Sequence, residues 1–484
     1  MPVHSAVIAN FRLLAVIAVA ALSAACCLCF GFVYALGGTA ALLVFILTLK
    51  DPKILFYVLF LWCAFAGILI NNTDLGKIEG ITYVDEVLVA MLVFNLMIKV
   101  KSHQVSRGLF RLIVVIFLFC VFAAISTFIN KASPIGLVNF ISTYLKFFAV
   151  FVCAVIFFDA EEMRSFIIFM MYFMLFQALV ASVQFFSYGR GNILIGSEID
   201  RLEDAATGLF GMYGAMPLGH LSMIFFMLSA SLYLFMRNKR WLFFSAICLY
   251  CYIITFTEQD YPFLIFFLLV FTVSLLWERI KARARPLVFY GAAIVCFFMV
   301  VLLFKSDIGP AKRYTTLLEN PQKLEEMGKV QSLILIKNIM LREPISMLVG
   351  VGPGNFSSGM SGKLGGEYYK QYIEFRVREV KSIMDYWWSN FSSLLSETGI
   401  AGYLLYLTAL FLVVSPAIKV SLSKNSAIDR LDKAIAFAAC NIMLFLLYIS
   451  FLSNALEWIA LTFPPAVIVA YAWKNLGSRR AGNV

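Results

Sequence analysis

Long apolar runs recur along the whole chain, separated by short stretches that carry charged residues or Gly, Pro and Asn. A run of about 20 apolar residues is what an α-helix needs to cross the hydrocarbon layer of a bilayer. The pattern therefore predicts an all-α, polytopic membrane protein with about 14 transmembrane helices. The predicted spans are roughly 13–34, 37–49, 54–70, 84–98, 109–129, 137–158, 164–187, 211–236, 240–257, 260–277, 286–304, 390–414, 432–452 and 455–473, of which the second and fourth are short for a bilayer.

The composition excludes an ordinary soluble protein. Of the 484 residues, 62% are hydrophobic and 14% are charged, whereas a soluble domain has about 45–50% apolar and about 25% charged residues. The net charge of +11 does not require a nucleic-acid partner, because membrane proteins concentrate basic residues on one side of the bilayer. All ten cysteines lie in apolar runs and no CxxC pair has a His partner, so we expect neither a metal site nor a cofactor.

The distribution of Lys and Arg among the short loops predicts the orientation of the chain. Nineteen lie on one side and four (Lys77, Lys131, Arg190 and Arg201) on the other. The side with nineteen is expected to be cytoplasmic and to hold both termini. The predicted regions are an N-terminal transmembrane bundle over 1–304, an external loop domain over 305–389 and C-terminal transmembrane helices over 390–484. The external region has two stretches with helical periodicity, 323–341 and 367–388, and a Gly-rich turn between them.

Four titratable residues fall within apolar spans, in the outer half or near the centre: Lys146, His220, Glu397 and Glu457. A charge at this depth costs about 2.5–3.5 kcal/mol on insertion scales, so such residues are candidates for function. Lys146 is expected about 14 Å inside its span, at about 1.5 Å per residue. These residues can line one outward-facing cavity; the alternative is that Lys146 and Glu397 pair with each other in a packed bundle.

Basic residues on the predicted outer side are candidate anion ligands. Arg201 precedes the small-residue turn that opens the next helix, where free backbone N–H groups can receive an anion. Lys329 and Lys337 share a helix face to within about 80°, whereas Arg376 and Arg378 point about 200° apart. The alternatives are an Arg201 balanced by its acidic neighbours and a basic surface that faces anionic lipid headgroups.

Four segments, in order, resemble the O-antigen ligase and O-antigen polymerase superfamily. They are Gly328-Lys329 before an amphipathic helix, Pro344, the turn at 350–356, and the stretch from Ser389-Asn390 through Glu397-Thr398-Gly399 to Gly402. By motif the resemblance covers about 200–410, and by hydropathy and the single large external loop it covers the whole chain.

The resemblance implies a metal-independent glycosyltransferase of the C type. Its substrates would be glycans carried by undecaprenyl diphosphate at the outer face of the bacterial inner membrane. Basic residues at the positions of Arg201 and Lys329 would hold the diphosphate, with Lys146 or Arg376 as helpers. Fixed cations there would stabilise the negative charge that develops on the leaving diphosphate.

A buried carboxylate or imidazole would then accept the proton of the attacking sugar hydroxyl. The candidates are Asp385, Glu397 and His220, in that order. The sequence departs from the family pattern at Ser389, where ligases carry a His, and at Lys329, where the pair is usually Gly-Arg. At residues 257–260 the sequence also lacks the Ser-Arg-Gly type of turn that the family carries. Because ligases typically carry that His, and the predicted external loop has no His, a polymerase is favoured over a ligase.

The predicted reaction joins lipid-linked oligosaccharide repeat units into a long polysaccharide, namely an O-antigen, a capsule or an exopolysaccharide. The expected partners are the undecaprenyl-diphosphate-linked donor and acceptor, the lipid bilayer, and a chain-length regulator or flippase of the same pathway. Two alternatives stay open: a ligase that transfers the glycan to lipid A core or to protein, and a flippase or other transporter of lipid-linked glycans.

Overall fold

The computed structural model describes residues 46–72, 83–100, 105–187, 206–210, 214–255, 328–342, 344–356, 364–371, 389–423, 429–453, 456 and 458–481. Within these ranges the secondary structure is helical, without a β-strand. The α-helices are α1 (Lys53–Asn72), α2 (Val84–Lys99), α3 (Arg107–Ile129), α4 (Pro134–Phe157), α5 (Ala160–Phe186), α6 (Ala215–Met236), α7 (Lys239–Ile254), α8 (Gly328–Arg342), α9 (Pro344–Val349), α10 (Glu367–Tyr369), α11 (Asn390–Ser421), α12 (Arg430–Leu452) and α13 (Ile459–Ala481), with a 3-10 turn at Gly208–Phe210.

Ten predicted spans coincide with described helices, namely α1–α7 and α11–α13, which confirms a helix at each of these positions. Six of them, α3–α6, α11 and α12, are long and apolar enough to cross a membrane. The predicted spans at 13–34, 260–277 and 286–304 lie outside the described residues, and the one at 37–49 is described only from residue 46. The total of about 14 spans therefore remains a prediction.

The outer surface of the bundle is suited to lipid rather than to water. On α3 the rings of Phe110, Phe117 and Phe128 are 61%, 64% and 86% exposed. A water-soluble protein rarely exposes an apolar surface of this kind, whereas lipid chains are as apolar as these side chains. The described helices thus support a polytopic membrane protein.

Helix α13 lies at the centre of the bundle and packs against α4, α5, α11 and α12. Its residues from Leu461 to Ala472 are buried. Because lipid gives helices no hydrophobic reason to associate, close side-chain packing must supply the attraction. Aromatic rings provide much of it: Phe56 lies 4.8 Å from Phe158 and 6.0 Å from Phe463, centroid to centroid.

The two ends of the bundle differ in chemistry. At one end, Asp159 caps α5 in a capping box with Glu162, Glu162 forms an ion pair with Lys53, and Lys474 donates to the carbonyl oxygens of Val155, at 3.0 Å, and Phe158. The other end holds the C-terminal end of α3 and the N-terminal end of α4, together with residues 350–356. We call it the loop side.

The described part of the predicted external domain packs directly on the membrane helices. Helix α9 contacts α11 and α3, and α8 contacts α9 and α11. A small second core of Ile336, Ile339, Val351 and Phe356 joins these helices to residues 350–356. The predicted helical stretch at 367–388 is described only as far as residue 371, and α10 is its described helix.

Candidate functional site

The loop after α9, residues 350–356, which we call the glycine loop, docks into a break in α11. The break lies at Gly399, where φ is 66° and ψ is −175°. In a continuous helix the carbonyls of residues 396 and 397 would accept the N–H groups four positions on, and the break prevents this. Instead they accept the N–H groups of Val351 and Gly352, at 2.8 and 3.1 Å. The loop therefore satisfies the backbone groups that the break leaves open.

Glycine is required at both sides of this contact. Gly350 has φ +79°, and a Cβ there would lie 2.4 Å from the carbonyl carbon of Glu397. A Cβ on Gly399 would lie 2.4 Å from the carbonyl oxygen of Leu348. Positive φ and this close approach of two backbones are both conditions that favour Gly over other residues.

The side chain of Glu397 completes the attachment of the glycine loop. Its carboxylate accepts the N–H of Gly354 at 2.8 Å and the N–H of Phe356 at 3.3 Å, and the residue is fully buried. From α3, the hydroxyl of Ser126 donates to the Glu397 carbonyl at 3.0 Å, and the amide of Asn130 donates to the Gly350 carbonyl at 3.0 Å. Hydrogen bonds that involve a charged partner are stronger than those between neutral groups, so Glu397 holds the loop firmly.

Nearby, the N-terminal end of α11 is fixed by its own polar residues. Ser389 is the N-cap of α11, and its hydroxyl oxygen accepts the N–H of Ser392 at 3.1 Å. Asn390 accepts the N–H of Leu456 at 2.8 Å and donates to the Tyr144 hydroxyl at 3.5 Å. Both residues are buried, so the second motif of the resemblance is anchored to α4 and to the segment before α13.

Lys146 belongs to a group of three charged side chains, which we call the ion cluster. Its Nζ lies 2.7 Å from Oδ2 of Asp85 and 2.6 Å from Oε1 of Glu86. The sequence had suggested Glu397 as an alternative partner; the observed partners lie in the first turn of α2 instead. Lys146 is 12 residues from the loop-side end of α4, or about 18 Å at about 1.5 Å per residue, which is deeper than predicted. Two carboxylates outnumber the single ammonium group, so the cluster is not a net positive site.

His220 lies in the second turn of α6 and is 2% exposed. Its ring packs edge-on against Phe445 of α12, with 5.8 Å between the centroids. The structure places it in the core between two helices.

A short segment, residues 206–210, which includes the 3-10 turn at Gly208–Phe210, lies buried against α1 and α5; we call it the buried turn. Gln184 holds it through three bonds: Oε1 accepts the N–H groups of Thr207 (3.1 Å) and Gly208 (2.7 Å), and Nε2 donates to the Gly208 carbonyl (2.9 Å). Gln177, two turns earlier, accepts the N–H of Leu209 at 2.8 Å. Irregular backbone at membrane depth needs such partners, because lipid supplies none.

The remaining predicted site residues have no described side chain. Arg201, Arg376, Asp385 and Glu457 lie outside the described residues, and Lys329 is described only as part of the backbone of the first turn of α8. The three described candidates each have separate partners: Glu397 the glycine loop, Lys146 the acidic residues of α2, and His220 the ring of Phe445. Within the described ranges no three His, Cys, Asp or Glu side chains are placed to hold a metal ion.

Several residues that organise the loop side were not singled out from the sequence. Gln177 and Gln184 lie seven positions apart in an apolar helix, a spacing that places both on one face, and this pattern could have been noticed. Asp85 and Glu86 lie at the start of a predicted span that is short for a bilayer. Ser126 and Asn130 gave no signal beyond being polar at the end of a span.

Comparison with known proteins adds no relative. No protein-family model matches the chain, and no curated protein matches it.

Proposed function

We propose that this protein is a polymerase that joins undecaprenyl-diphosphate-linked repeat units at the outer face of the bacterial inner membrane. The observation that carries the proposal is the contact between the glycine loop and the break in α11. The two motifs on which the resemblance mainly depends are separated by about 40 positions, yet they form one hydrogen-bonded unit through Glu397. This supports treating them as parts of one site at the loop side.

In this proposal the diphosphate is held by cations at Arg201 and Lys329, with Arg376 as a helper. A hydroxyl oxygen of the second glycan bonds to the anomeric carbon of the donor sugar. The bond from that carbon to undecaprenyl diphosphate breaks, and undecaprenyl diphosphate leaves. Lys146 has no part in binding it, because Asp85 and Glu86 already neutralise its charge. Electrostatic stabilisation of the leaving group is the main catalytic effect.

The proton of the attacking hydroxyl goes to Asp385 in this proposal, with His220 as second candidate. Glu397 is assigned a positioning role instead. Its carboxylate accepts two backbone N–H groups, and these bonds leave it poorly placed to accept a proton from a substrate hydroxyl.

The decisive experiment uses the purified protein in liposomes with lipid-linked repeat units and no ion gradient. We expect longer lipid-linked chains, which Arg201→Ala and Lys329→Ala reduce strongly, while Arg190→Ala, in the same predicted loop as Arg201, serves as the matched control. Unchanged amount and length of glycan in both variants would end the diphosphate assignment. A product attached to lipid A core or to protein would identify a ligase.

A transporter is the second candidate, and the ion cluster is the observation that favours it. Charged side chains near the middle of membrane helices frequently mark ion or substrate pathways. The same liposomes separate the two functions. Movement of lipid-linked glycan across the bilayer without a new glycosidic bond would support transport, whereas elongation without a gradient would support the polymerase.

A further inference from the structure

Two polar groups at the buried turn have no hydrogen-bond partner among the described residues. They are the Nε2 amide nitrogen of Gln177 and the Oγ1 hydroxyl of Thr207, on side chains that are 0% and 1% exposed. The orientation of the Gln177 amide is fixed, because its Oε1 accepts the N–H of Leu209 at 2.8 Å. If the amide were rotated by 180°, its NH₂ group would face the N–H of Leu209, and two donors would oppose each other. Both N–H groups of Gln177 therefore remain available as donors.

Such groups are unexpected at this depth. Gln177 lies nine residues before the loop-side end of α5, or about 14 Å from it at about 1.5 Å per residue. An unpaired donor in an apolar environment destabilises the folded state, and at position 207 a valine, which has the shape of threonine, would avoid this cost. Irregular backbone at membrane depth is a feature of substrate sites in membrane proteins. The two groups are thus better explained by a ligand than by packing.

The N-terminal end of α6 can favour an anion beside the buried turn. Glu203 and Asp204 precede the turn in the sequence, and the next acidic residue is Glu258. Helix α6 begins five residues after the turn, at Ala215, and its N-cap Gly214 has no side chain to cap the helix. The side chain of Leu218, in the first turn of α6, lies 3.0 Å from where a Cβ on Gly208 would be, and Oε1 of Gln177 lies 2.4 Å from the same point. The positive end of a helix therefore lies close to the unpaired donors.

We infer that Gln177 Nε2 and Thr207 Oγ1 donate hydrogen bonds to a phosphate oxygen of a lipid-linked diphosphate, at the N-terminal end of α6. The inference rests on the proposed function for the identity of the ligand. The Gln177 amide nitrogen can only donate, and phosphate oxygens only accept, so the two groups match. Because both atoms are buried in this structure, binding requires a small local rearrangement around them that keeps the bond between Gln177 and Leu209.

Thr207→Val is the most direct test, since valine has the shape of threonine without the hydroxyl, and the backbone bond from Thr207 to Gln184 is kept. The full-length protein in nanodiscs is titrated with undecaprenyl diphosphate, and its affinity is measured. We expect binding to weaken about 10-fold or more, as for the loss of a hydrogen bond to a charged group, and Thr207→Ser to restore it. The melting temperature should not fall, because the lost hydroxyl has no partner in the fold.

Gln177→Glu provides the second variant. It keeps an acceptor for the N–H of Leu209 but replaces the donor with a carboxylate oxygen, so affinity for the diphosphate should fall at least as much. Wild-type affinity in either Thr207→Val or Gln177→Glu would overturn the inference and leave the proposed function intact. If the substitutions weaken the binding of inorganic pyrophosphate but not of undecaprenyl diphosphate, the assignment of the ligand as a lipid is wrong. Conversely, hydroxyl-dependent binding of the lipid without chain elongation would support this site and contradict the polymerase.

Discussion

Removing the charge of Lys146 should strongly destabilise the bundle. Its Nζ makes contacts of 2.7 and 2.6 Å with Asp85 and Glu86, and the Lys146 side chain is 4% exposed. At an effective dielectric constant of about 20, each contact is worth roughly 6 kcal/mol of Coulomb attraction before the cost of removing the charges from water is subtracted. Removing one member of a buried pair typically costs about 3–5 kcal/mol, because the opposite charge stays behind.

We therefore expect Lys146→Met to lower the free energy of unfolding by about 3–5 kcal/mol. The measurement is unfolding of the purified protein in mixed micelles by added denaturing detergent, followed by tryptophan fluorescence. Lys337→Met serves as the control, because Lys337 is exposed on α8 and such substitutions usually change stability by less than about 0.5 kcal/mol.

A neutral ion cluster should recover most of the loss. The triple variant Lys146→Met, Asp85→Asn, Glu86→Gln removes all three charges at once, whereas Asp85→Asn with Glu86→Gln alone leaves an unpaired ammonium group and should also be unstable. Recovery of stability in the triple variant would show that the three positions are coupled, because the effects of substitutions at independent sites simply add. If Lys146→Met is as stable as the wild type, or the triple variant no more stable than Lys146→Met, the electrostatic account of the cluster is wrong. Loss of elongation in a stable triple variant would return Lys146 to the diphosphate site.

Three further predictions concern the loop side, the opposite end and the orientation. Glu397→Ala should lower stability by about 3–6 kcal/mol, since two loop N–H groups lose a charged acceptor, and should speed proteolysis between residues 356 and 364; unchanged cleavage would contradict the role of Glu397. Asp159→Ala should cost about 0.5–2 kcal/mol and Asp159→Asn less. The N–H of Glu162 lowers the pKa of Asp159 below its usual 3.8. The stabilisation by the ionised Asp159 is therefore fully present above pH 3.8 and is lost as the pH falls through the lowered pKa. Melting curves recorded at acidic pH would show this loss. Reporter fusions after residues near 103 and 365 should report opposite sides of the membrane, and reports from the same side would refute the predicted orientation.

The transmembrane helices could be predicted from the sequence because a bilayer demands long apolar runs, and the runs are visible locally. The ends of α4 and α6 differ from the predicted bounds by at most four residues. The partner of Lys146 could not be predicted, because it depends on the vertical offset between α2 and α4. One signal was present: α2 spans about 24 Å, at 1.5 Å per residue, against a hydrocarbon layer of about 30 Å. A helix this short can begin inside the membrane, where its acidic first turn needs a cation.

The contact between the glycine loop and α11 could not be predicted from the sequence for a different reason. The glycines predict a tight turn, but which backbone they approach depends on the packing of α3, α9 and α11 together. Likewise, Glu397 could be recognised as a buried charge, yet its partners are backbone N–H groups that have no side-chain signature. Local patterns therefore located both segments. Only the tertiary structure shows that each segment provides the hydrogen-bond partners of the other.

This mutual dependence has a consequence for how the site forms. In an apolar environment, the open carbonyls at the break in α11 and the free N–H groups of the glycine loop would each be costly alone. Once docked, they satisfy one another, so the break is stable only with the loop in place. The loop-side end of α11, which carries Ser389 and Asn390, is thereby held in a fixed position relative to the glycine loop. In the proposed polymerase, a site built from these two segments would be held in place by the bundle beneath it, and electrostatic catalysis requires such fixed positions of its charged groups.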